Sequence, residues 1–359
     1  MEDKIKIIYI YPNLNIGGAQ KVILDLMNNL DENKFEIHLI CNGGKFLEYV
    51  NKNINIHNLK IDNKKNILKS IFQIKEIIKK EKINIIHSHH RYTTFLCRMA
   101  KMNSNLQVVH SEHNVFPSKN FINLRGKNII SVSQSVKDNL IKHGVKEKNI
   151  TVIYNGIDEK KYINAKKIDL KKELNIEGFT FGFIGRLSEQ KGIRYMLEAF
   201  KSIVNEKYDC NLVLIGDGEL RTEIKNFIEV NKLEKNIFMT GFRNDIINII
   251  SSLDMYILPS IFEGFPMTNM EIMINSKSLI ATDVGGNREI IDNNFNGYIV
   301  SSKSVDDILN KMMFVLDNKQ ILDELGVEAK SKVLSQFTLT NMIKNHISYY
   351  LELLKISEA

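Results

Sequence analysis

No stretch of the sequence is long and apolar enough to cross a membrane. A transmembrane helix needs about 20 consecutive, mostly apolar residues, and no run in the 359 residues approaches that length. Residues Met1 to Lys4 lead directly into the apolar segment 5–10, which does not have the pattern of a signal peptide. We therefore expect a cytoplasmic protein that at most attaches peripherally to the inner face of a membrane.

Cysteine is scarce, and the usual metal-binding spacings are missing. The three cysteines, Cys41, Cys97 and Cys210, form no CxxC pair, and each falls in or beside an apolar segment. Buried, reduced thiols are therefore expected. The histidines show neither HxxxH nor HExxH spacing. The sequence thus predicts no disulfide, no metal site and no cofactor.

Positive charge is concentrated in the first half of the chain. Residues 1–165 carry 26 Lys and Arg against 15 Asp and Glu, a balance of +11, whereas residues 166–359 carry 23 against 27, a balance of −4. A general Lys richness is the alternative explanation, but it would load both halves alike. The asymmetry favours an anionic partner of the first half, such as a membrane surface.

Two series of alternating strand-like and helix-like segments indicate two domains. Strands are predicted at 5–10, 35–41, 83–87, 106–110, 129–133 and 151–154, and again at 179–185, 211–216, 236–240, 254–258, 279–283 and 298–300. Segments with helical spacing lie between them, and a helical region from 305 to about 354 closes the chain. Such alternation predicts an α/β fold of two Rossmann-like domains, each a doubly wound parallel sheet, facing a central cleft.

Two glutamates lie close together at a predicted strand-to-helix turn. Glu263 follows the apolar segment 254–258, and Pro266 suits the first turn of a helix that contains Glu271. Open α/β sheets bind ligands at the carboxyl ends of their strands. The two carboxylates could therefore hold hydroxyl groups at two points of one polar ligand, which indicates a sugar or a nucleotide carrying one.

A second turn of this kind carries two cations. Arg186 and Lys191 follow the first strand of the second series and are flanked by glycines. A guanidinium fork, an ammonium and the following helix N-terminus suit a diphosphate. In the first series, Gly17 and Gly18 permit backbone N–H groups to approach a phosphate closely.

Taken in order, the motifs resemble those of the bacterial retaining glycosyltransferases of family 4, which have the GT-B fold. The resemblance covers about residues 5–300. The motifs are GGAQ at 17–20, HSH at 87–89, NGID at 155–158, GRL at 185–187 with QKG at 190–192, GDG at 216–218, EGFP at 263–266 with Glu271, and VGGNRE at 284–289.

The resemblance implies a role for each domain. A first domain, 1–160, would bind the acceptor, and a second, 161–341, would bind a nucleotide-sugar donor. The last helix, about 342–359, would pack back on the first domain. Arg186 and Lys191 would neutralise the leaving diphosphate with help from the backbone amides of Gly17 and Gly18.

The resemblance also implies roles for the two glutamates. Glu271 would bind the ribose hydroxyls, and Glu263, with the backbone of Gly264, Phe265 and Pro266, would hold the transferred sugar. The resemblance further implies a front-face displacement, in which the departing phosphate takes the acceptor proton, so that positioning and electrostatic stabilisation replace a separate base. The sequence has no Asp-x-Asp, which agrees with metal independence.

Three further residues have implied places at the site. His113, in HSEHN at 110–114, resembles the family position that contacts the donor sugar near the reacting carbon. His89 and Asn155 are expected on the acceptor side. The alternative for His89 is a structural role in its turn.

The segment 116–127 mixes apolar and basic residues. It contains Phe116, Phe121, Lys119, Arg125 and Lys127, a combination that suits a membrane interface or a lipid-linked acceptor. A buried helix with a solvated cationic edge is the alternative.

The leading hypothesis is a retaining hexosyltransferase that adds one sugar from a nucleotide sugar, with UDP expected, to a saccharide or lipid-linked saccharide in surface polysaccharide or glycoconjugate synthesis. One alternative is a sugar-nucleotide 2-epimerase on the same fold, and another is a non-catalytic scaffold related to the transferases. Nucleic-acid binding is not expected, because no aromatic-basic recognition motif accompanies the charge.

Overall fold

The apolar, β-branched segments form two parallel sheets, one in each of two structural units. The structure is a computed structural model that describes residues 4–61, 66–101, 105–115 and 126–355. One unit comprises Met1–Gly156 and Leu339–Ala359, and the other comprises Ile157–Thr338. These divisions fall slightly before the expected ones at 160/161 and 341/342.

The first unit contains a sheet of seven parallel strands among its described residues. The order across the sheet is β3-β2-β1-β4-β5-β6-β7. The strands are β1 (Ile5–Ile10), β2 (Phe35–Cys41), β3 (Asn55–Asn58), β4 (Ile85–Ser88), β5 (Gln107–Glu112), β6 (Ile129–Ser131) and β7 (Ile150–Val152). The helices between them are α1 (Gly18–Asn29), α2 (Ile67–Glu81), α3 (Arg91–Ala100) and α4 (Gln134–Lys142).

Helix α2 shows why this pattern forms an amphipathic helix. Ile74 and Ile78 are buried one turn apart in the core that α2 and α3 form on the sheet, as residues four apart on one helix face should be. Lys82 ends the helix in the left-handed conformation, at φ 56°, and its N–H is bonded to the carbonyl of Ile78.

The second unit has a sheet of six parallel strands within the described ranges. Its order is β10-β9-β8-β11-β12-β13. The strands are β8 (Phe179–Ile184), β9 (Cys210–Ile215), β10 (Ile237–Gly241), β11 (Met255–Leu258), β12 (Leu279–Thr282) and β13 (Tyr298–Val300). The helices are α5 (Glu159–Ile163), α6 (Leu170–Glu173), α7 (Ile193–Asn205), α8 (Arg221–Val230), α9 (Ile246–Ile249), α10 (Met267–Met273), α11 (Asn287–Ile290), α12 (Val305–Asp317) and α13 (Leu322–Gln336).

The last helix, α14 (Leu339–Leu354), belongs to the first unit. It buries Leu339, Met342, His346, Tyr349 and Tyr350. This face supplies the polar side chains of His346 and Tyr350 to the interior of the unit.

The prediction of two doubly wound parallel sheets is confirmed. In each sheet the strand order reverses beside its first strand, at β1/β4 and at β8/β11, and ligands of such folds bind outside the carboxyl ends of strands at this switch point. Strand β3 was not predicted, because its sequence NIHN has no apolar run and three of its four residues are exposed. Cys41, Cys97 and Cys210 are buried and unpaired.

Candidate active site

The two switch-point loops of the second unit are joined by an ion pair. Lys191 lies in the loop after β8 and Glu263 in the loop after β11. The ammonium of Lys191 is 2.6 Å from Oε1 of Glu263, which also accepts a 2.7 Å bond from the Ser260 hydroxyl. Glu263 is 8% exposed. One oxygen of a largely buried carboxylate is thus fixed by two donors.

Backbone contacts hold the same two loops together. Ile261 N donates to the backbone carbonyl of Gln190 at 2.8 Å, and the side-chain Nε2 of Gln190 donates to the Phe262 carbonyl at 3.1 Å. Gly192 has φ +62°, and a Cβ there would lie 2.1 Å from the Pro259 carbonyl oxygen. Glycine is therefore required at 192 both by the backbone conformation and by the close approach of the loops.

Arg186 stands apart from this network. Its side chain is exposed, and no ion pair of Arg186 is found among the described residues. The loop that carries it is packed closely on the turn after β9, where a Cβ at Gly216 would lie 1.9 Å from the Gly185 carbonyl oxygen. The backbone is therefore held in place while the guanidinium remains accessible to an anion.

Glu271 lies on α10 and has a partner that the sequence did not indicate. The Tyr162 hydroxyl donates to Oε1 of Glu271 at 2.9 Å. Tyr162 belongs to α5, which lies between the last predicted strand of the first series, 151–154, and the first of the second, 179–185. No motif identifies Tyr162, because the contact joins residues 109 positions apart.

The backbone at 264–266 is fixed from the loop after β12. Gly286 N donates to the Gly264 carbonyl at 2.9 Å. Phe265 is buried, with its ring 5.3 Å from that of Phe337, and Pro266 immediately precedes α10. Gly285 has φ +54°, and a Cβ there would lie 2.1 Å from the Glu263 carbonyl oxygen.

In the first unit, Gly17 and Gly18 stand at the amino end of α1. Gly17 has an extended backbone, φ 176°, and a Cβ at Gly18 would meet nothing within 4 Å. Neither the backbone conformation nor internal packing accounts for Gly18. An uncovered helix N-terminus of this kind attracts anions.

Histidines gather at the carboxyl ends of β4 and β5 in the same unit. His87 is fully buried; its Nδ1 lies 2.6 Å from the Tyr350 hydroxyl and its Nε2 lies 2.7 Å from Ser111 Oγ. The Tyr350 hydroxyl is also 3.0 Å from that of Tyr9 on β1. Helix α14 therefore completes the polar interior of the first unit. The sequence offered one signal, the spacing of His346 and Tyr350 on one helix face.

His89 and His113 form a hydrogen-bonded pair. Nδ1 of His89 lies 2.9 Å from Nε2 of His113, and the rings stack at 5.2 Å. Nε2 of His89 is buried and has no hydrogen-bond partner among the described residues. Either tautomer leaves this nitrogen needing one, as an acceptor if Nδ1 carries the proton and as a donor if it does not.

Burial keeps these imidazoles neutral. Desolvation lowers the pKa of His87 and His89 well below the ordinary value, and neighbouring histidines lower it further. Desolvation likewise lowers the pKa of His113 and of His346 to about 4. At neutral pH the group therefore offers uncharged donors and acceptors.

Glu112 is the acidic member of this region. Burial alone would raise its pKa, but hydrogen bonds and charges from His110 and Arg91 outweigh burial and lower the pKa. Arg91 Nε donates to Oε2 of Glu112 at 2.6 Å, and Nε2 of His110 lies 3.4 Å from the same oxygen.

Asn155, expected on the acceptor side, is also buried. It directly precedes Gly156, where the first stretch of the first unit ends.

In the ranges that the structure describes, no cluster of three or more His, Cys, Asp or Glu side chains could hold a metal ion. Nor does any described helix have the length and apolar character needed to cross a membrane. Of the segment 116–127, residues 116–125 lie outside the described residues.

Two family models match the chain, one mainly over the first unit and the other within the second. Residues 16–161 match Glycosyltransferase Family 4, and residues 164–332 match Glycosyl transferases group 1. The sequence is 31% identical to an uncharacterized glycosyltransferase of Methanocaldococcus jannaschii, over 88% of this chain and 89% of that one. The chain therefore belongs to glycosyltransferase family 4, as the motifs predicted, and is a glycosyltransferase.

Another relative and a solved structure cover nearly the whole chain. The UDP-Gal:alpha-D-GlcNAc-diphosphoundecaprenol alpha-1,3-galactosyltransferase of Escherichia coli is 29% identical over 98% of this chain and 97% of its own. The crystal structure of a glycosyltransferase from Rickettsia africae matches with a TM-score of 0.87 at 24% identity, covering 99% of this chain and 100% of that one. The fold is thus the GT-B fold found in structures of this family.

Proposed function

We propose that the protein is a retaining, metal-independent hexosyltransferase. It takes a sugar from a nucleotide sugar, with UDP as the nucleotide, and adds it to a saccharide or lipid-linked saccharide in surface polysaccharide or glycoconjugate synthesis. The observation that carries the proposal is the Lys191–Glu263 pair at the switch point of the second sheet. The name of the Escherichia coli relative, which specifies a UDP-linked donor and a diphosphoundecaprenol-linked acceptor, supports the choice of substrates.

In this proposal the donor is bound in three parts. Arg186 and Lys191 stabilise the negative charge that grows on the departing diphosphate, and the amides at Gly17 and Gly18 assist them. Glu271, oriented by Tyr162, accepts hydrogen bonds from the ribose hydroxyls.

The sugar is held by the loop after β11. Oε1 of Glu263 already accepts from Lys191 and Ser260, so Oε2 is the oxygen assigned to a sugar hydroxyl. The backbone of 264–266 lines the same place, and Gly286 supports it.

The histidine pair, His89 and His113, is proposed to contact the substrates where the sugar is transferred. His113 contacts the donor sugar near the anomeric carbon, and Nε2 of His89 bonds a hydroxyl of the acceptor, with Asn155 also on the acceptor side. The unpartnered, buried state of Nε2 supports this role. Because desolvation lowers the pKa of both imidazoles, neither acts as a cation at neutral pH.

The first unit is proposed to face an anionic membrane surface. Residues 1–165 carry a net charge of +11 and the rest of the chain −4, and basic segments are attracted to the anionic lipids of a membrane, where a lipid-linked acceptor would lie. Flotation with vesicles containing an anionic phospholipid tests this, with neutral vesicles as the control. Protein that stays at the bottom with both kinds would contradict membrane attachment and leave the transferase proposal intact.

The donor site is tested by thermal stabilisation with UDP-, GDP- and ADP-sugars in excess chelator. A ligand at about 100 times its Kd should stabilise the protein by about 2.7 kcal/mol. We expect stabilisation by UDP-sugars in the wild type and its loss in Lys191→Ala. An absence of stabilisation by every nucleotide sugar would contradict the donor-site assignment and favour the scaffold alternative.

A further inference from the structure

We propose that Asn269 is a positioning residue for Glu263, acting through a chain of buried hydrogen bonds. This inference rests on the proposed role of Glu263. Asn269 Nδ2 donates to Asn287 Oδ1 at 2.8 Å, and Asn287 Nδ2 donates to the Thr282 carbonyl at 2.7 Å. Thr282 Oγ1 donates to the Ser260 carbonyl at 2.6 Å, and Ser260 Oγ donates to Glu263 Oε1 at 2.7 Å.

Every link of the chain is shielded from water. Asn269 and Asn287 are each 1% exposed, Thr282 is 0% exposed and Ser260 is 3% exposed. Hydrogen bonds in such surroundings are stronger than in water, and an unpaired member is costly. The chain connects three separate segments, namely helix α10, the end of β12 with α11, and the loop after β11.

The Thr282 carbonyl determines which atom donates and which accepts in the hydrogen bonds between Asn269, Asn287 and Thr282. The Thr282 carbonyl can only accept, so the amide nitrogen of Asn287 must face it. Asn287 Oδ1 is then the acceptor that faces Asn269, and Asn269 must present Nδ2 to it. The atom left over is Asn269 Oδ1, which is buried and has no partner within the described residues.

A small cavity beside Asn269 has room for a water molecule that could donate the missing hydrogen bond. Its volume is about 10 Å³, and Asn269, Asn287, Ser260, Glu263 and Lys191 are among its lining residues. That is about the space of a single water molecule, and a buried water needs two to four polar partners of the kind these walls offer. One water bound there would donate to Asn269 Oδ1 and extend the network to the back of the ion pair.

The geometry leads to a specific functional expectation. Oε1 of Glu263 is held by Ser260 and Lys191, and the carboxylate can present Oε2 in one orientation only while the loop carrying Ser260 stays in place. Asn269 acts two segments away, through Asn287 and Thr282. Its loss should therefore reduce the rate of sugar transfer, while nucleotide binding, which in the proposal depends on Arg186, Lys191 and Glu271 and not on the orientation of Glu263, is unchanged.

A double-mutant cycle on the full chain tests the inference. Asn269→Leu should lower kcat for release of UDP from a UDP-sugar on the order of tenfold and leave the Kd of UDP unchanged. In a Glu263→Gln background the same substitution should cause no additional loss, because coupled residues are not additive. Thr282→Val, which keeps the side-chain shape and cuts one link, should reproduce the effect if Asn269→Leu folds poorly.

Asn296→Leu is the matched control. Asn296 has a fully buried side-chain amide in the same unit. It is bonded to the backbone of Asp292 and Ile290, and these bonds are not part of the hydrogen-bond chain from Asn269 to Glu263. It should lower thermal stability without a change of kcat in the folded protein. An additive loss in the Glu263→Gln background, or an unchanged kcat in both Asn269→Leu and Thr282→Val, would overturn the inference. A wild-type rate in Glu263→Gln alone would instead overturn the proposed role of Glu263, and the inference with it.

Discussion

The ammonium of Lys191 lies 2.6 Å from Oε1 of Glu263, although the two residues are 72 positions apart in the chain. Lys191 is therefore an ion-pair partner of the carboxylate proposed to hold the sugar, as well as a cation for the proposed diphosphate. Ser260 supplies the second donor to the same oxygen. The cationic turn and the glutamate turn, which the sequence presents as separate motifs, form one electrostatic unit.

Replacing Lys191 with alanine should lower kcat about 10²–10³-fold, the typical effect of removing one donor that stabilises transition-state charge. The measurement is the rate of UDP release from a saturating UDP-sugar. Arg194→Ala is the control, since Arg194 is an exposed cation nearby that pairs with Glu189. A Lys191→Ala rate equal to that of the control would contradict the role of Lys191.

Tyr162→Phe should weaken donor binding without affecting the chemical step. The hydroxyl orients Glu271 through one 2.9 Å bond, and a bond of this kind contributes about 1 kcal/mol. KM for the nucleotide sugar should therefore rise roughly fivefold at unchanged kcat. Tyr208→Phe, which removes an exposed hydroxyl bonded to Asp317, should change neither value, and an unchanged KM in Tyr162→Phe would remove Glu271 from the ribose site.

Tyr350→Phe should destabilise the first unit. The substitution leaves Nδ1 of the fully buried His87 without its partner at 2.6 Å, and an unsatisfied buried polar group costs about 1–3 kcal/mol. Chemical denaturation gives the free energy of unfolding, with Tyr49→Phe at an exposed site as the control. Equal stability of the two variants would show that α14 does not hold His87 through this bond.

The free energy of unfolding should fall as the solution is acidified. The pKa of His346 is lowered by burial from 6.5 to about 4, so between these values the unfolded chain binds a proton that the folded chain does not. The free energy of unfolding should therefore be highest above about pH 6.5, decrease between pH 6.5 and pH 4, and stay constant below that. The total decrease due to this residue should be on the order of 3 kcal/mol. His346→Gln should flatten the decline, and an unaltered pH dependence in that variant would contradict the assignment.

Much of the fold could be predicted because hydrophobic periodicity reports local structure. The alternation of strands and helices specified the doubly wound sheets, and β1, β2 and β13 have the predicted bounds. Strand β3 was not predicted because it is an exposed edge strand of mostly polar sequence. Its pairing with β2, and not its composition, keeps this segment extended.

The contacts that orient the site residues could not be predicted in the same way. Tyr162 and Glu271, or His87 and Tyr350, meet only because distant segments pack together, and no spacing in the chain encodes such a meeting. The resemblance identified Arg186, Lys191, Glu263 and Glu271 from their residue types and their order along the chain. It contained no information on Ser260 or Asn269, whose importance depends on their hydrogen bonds.

The most direct test of the proposed activity follows the configuration of the released sugar. Each α-linked UDP-sugar of a panel is incubated with the full chain in excess chelator without acceptor, and proton NMR records the first anomer formed by slow hydrolysis. We expect one donor to release the α-anomer first, together with UDP, and Lys191→Ala to do so far more slowly. Release of the β-anomer first would contradict a retaining mechanism, and conversion of the donor to an epimeric sugar nucleotide would establish the isomerase instead.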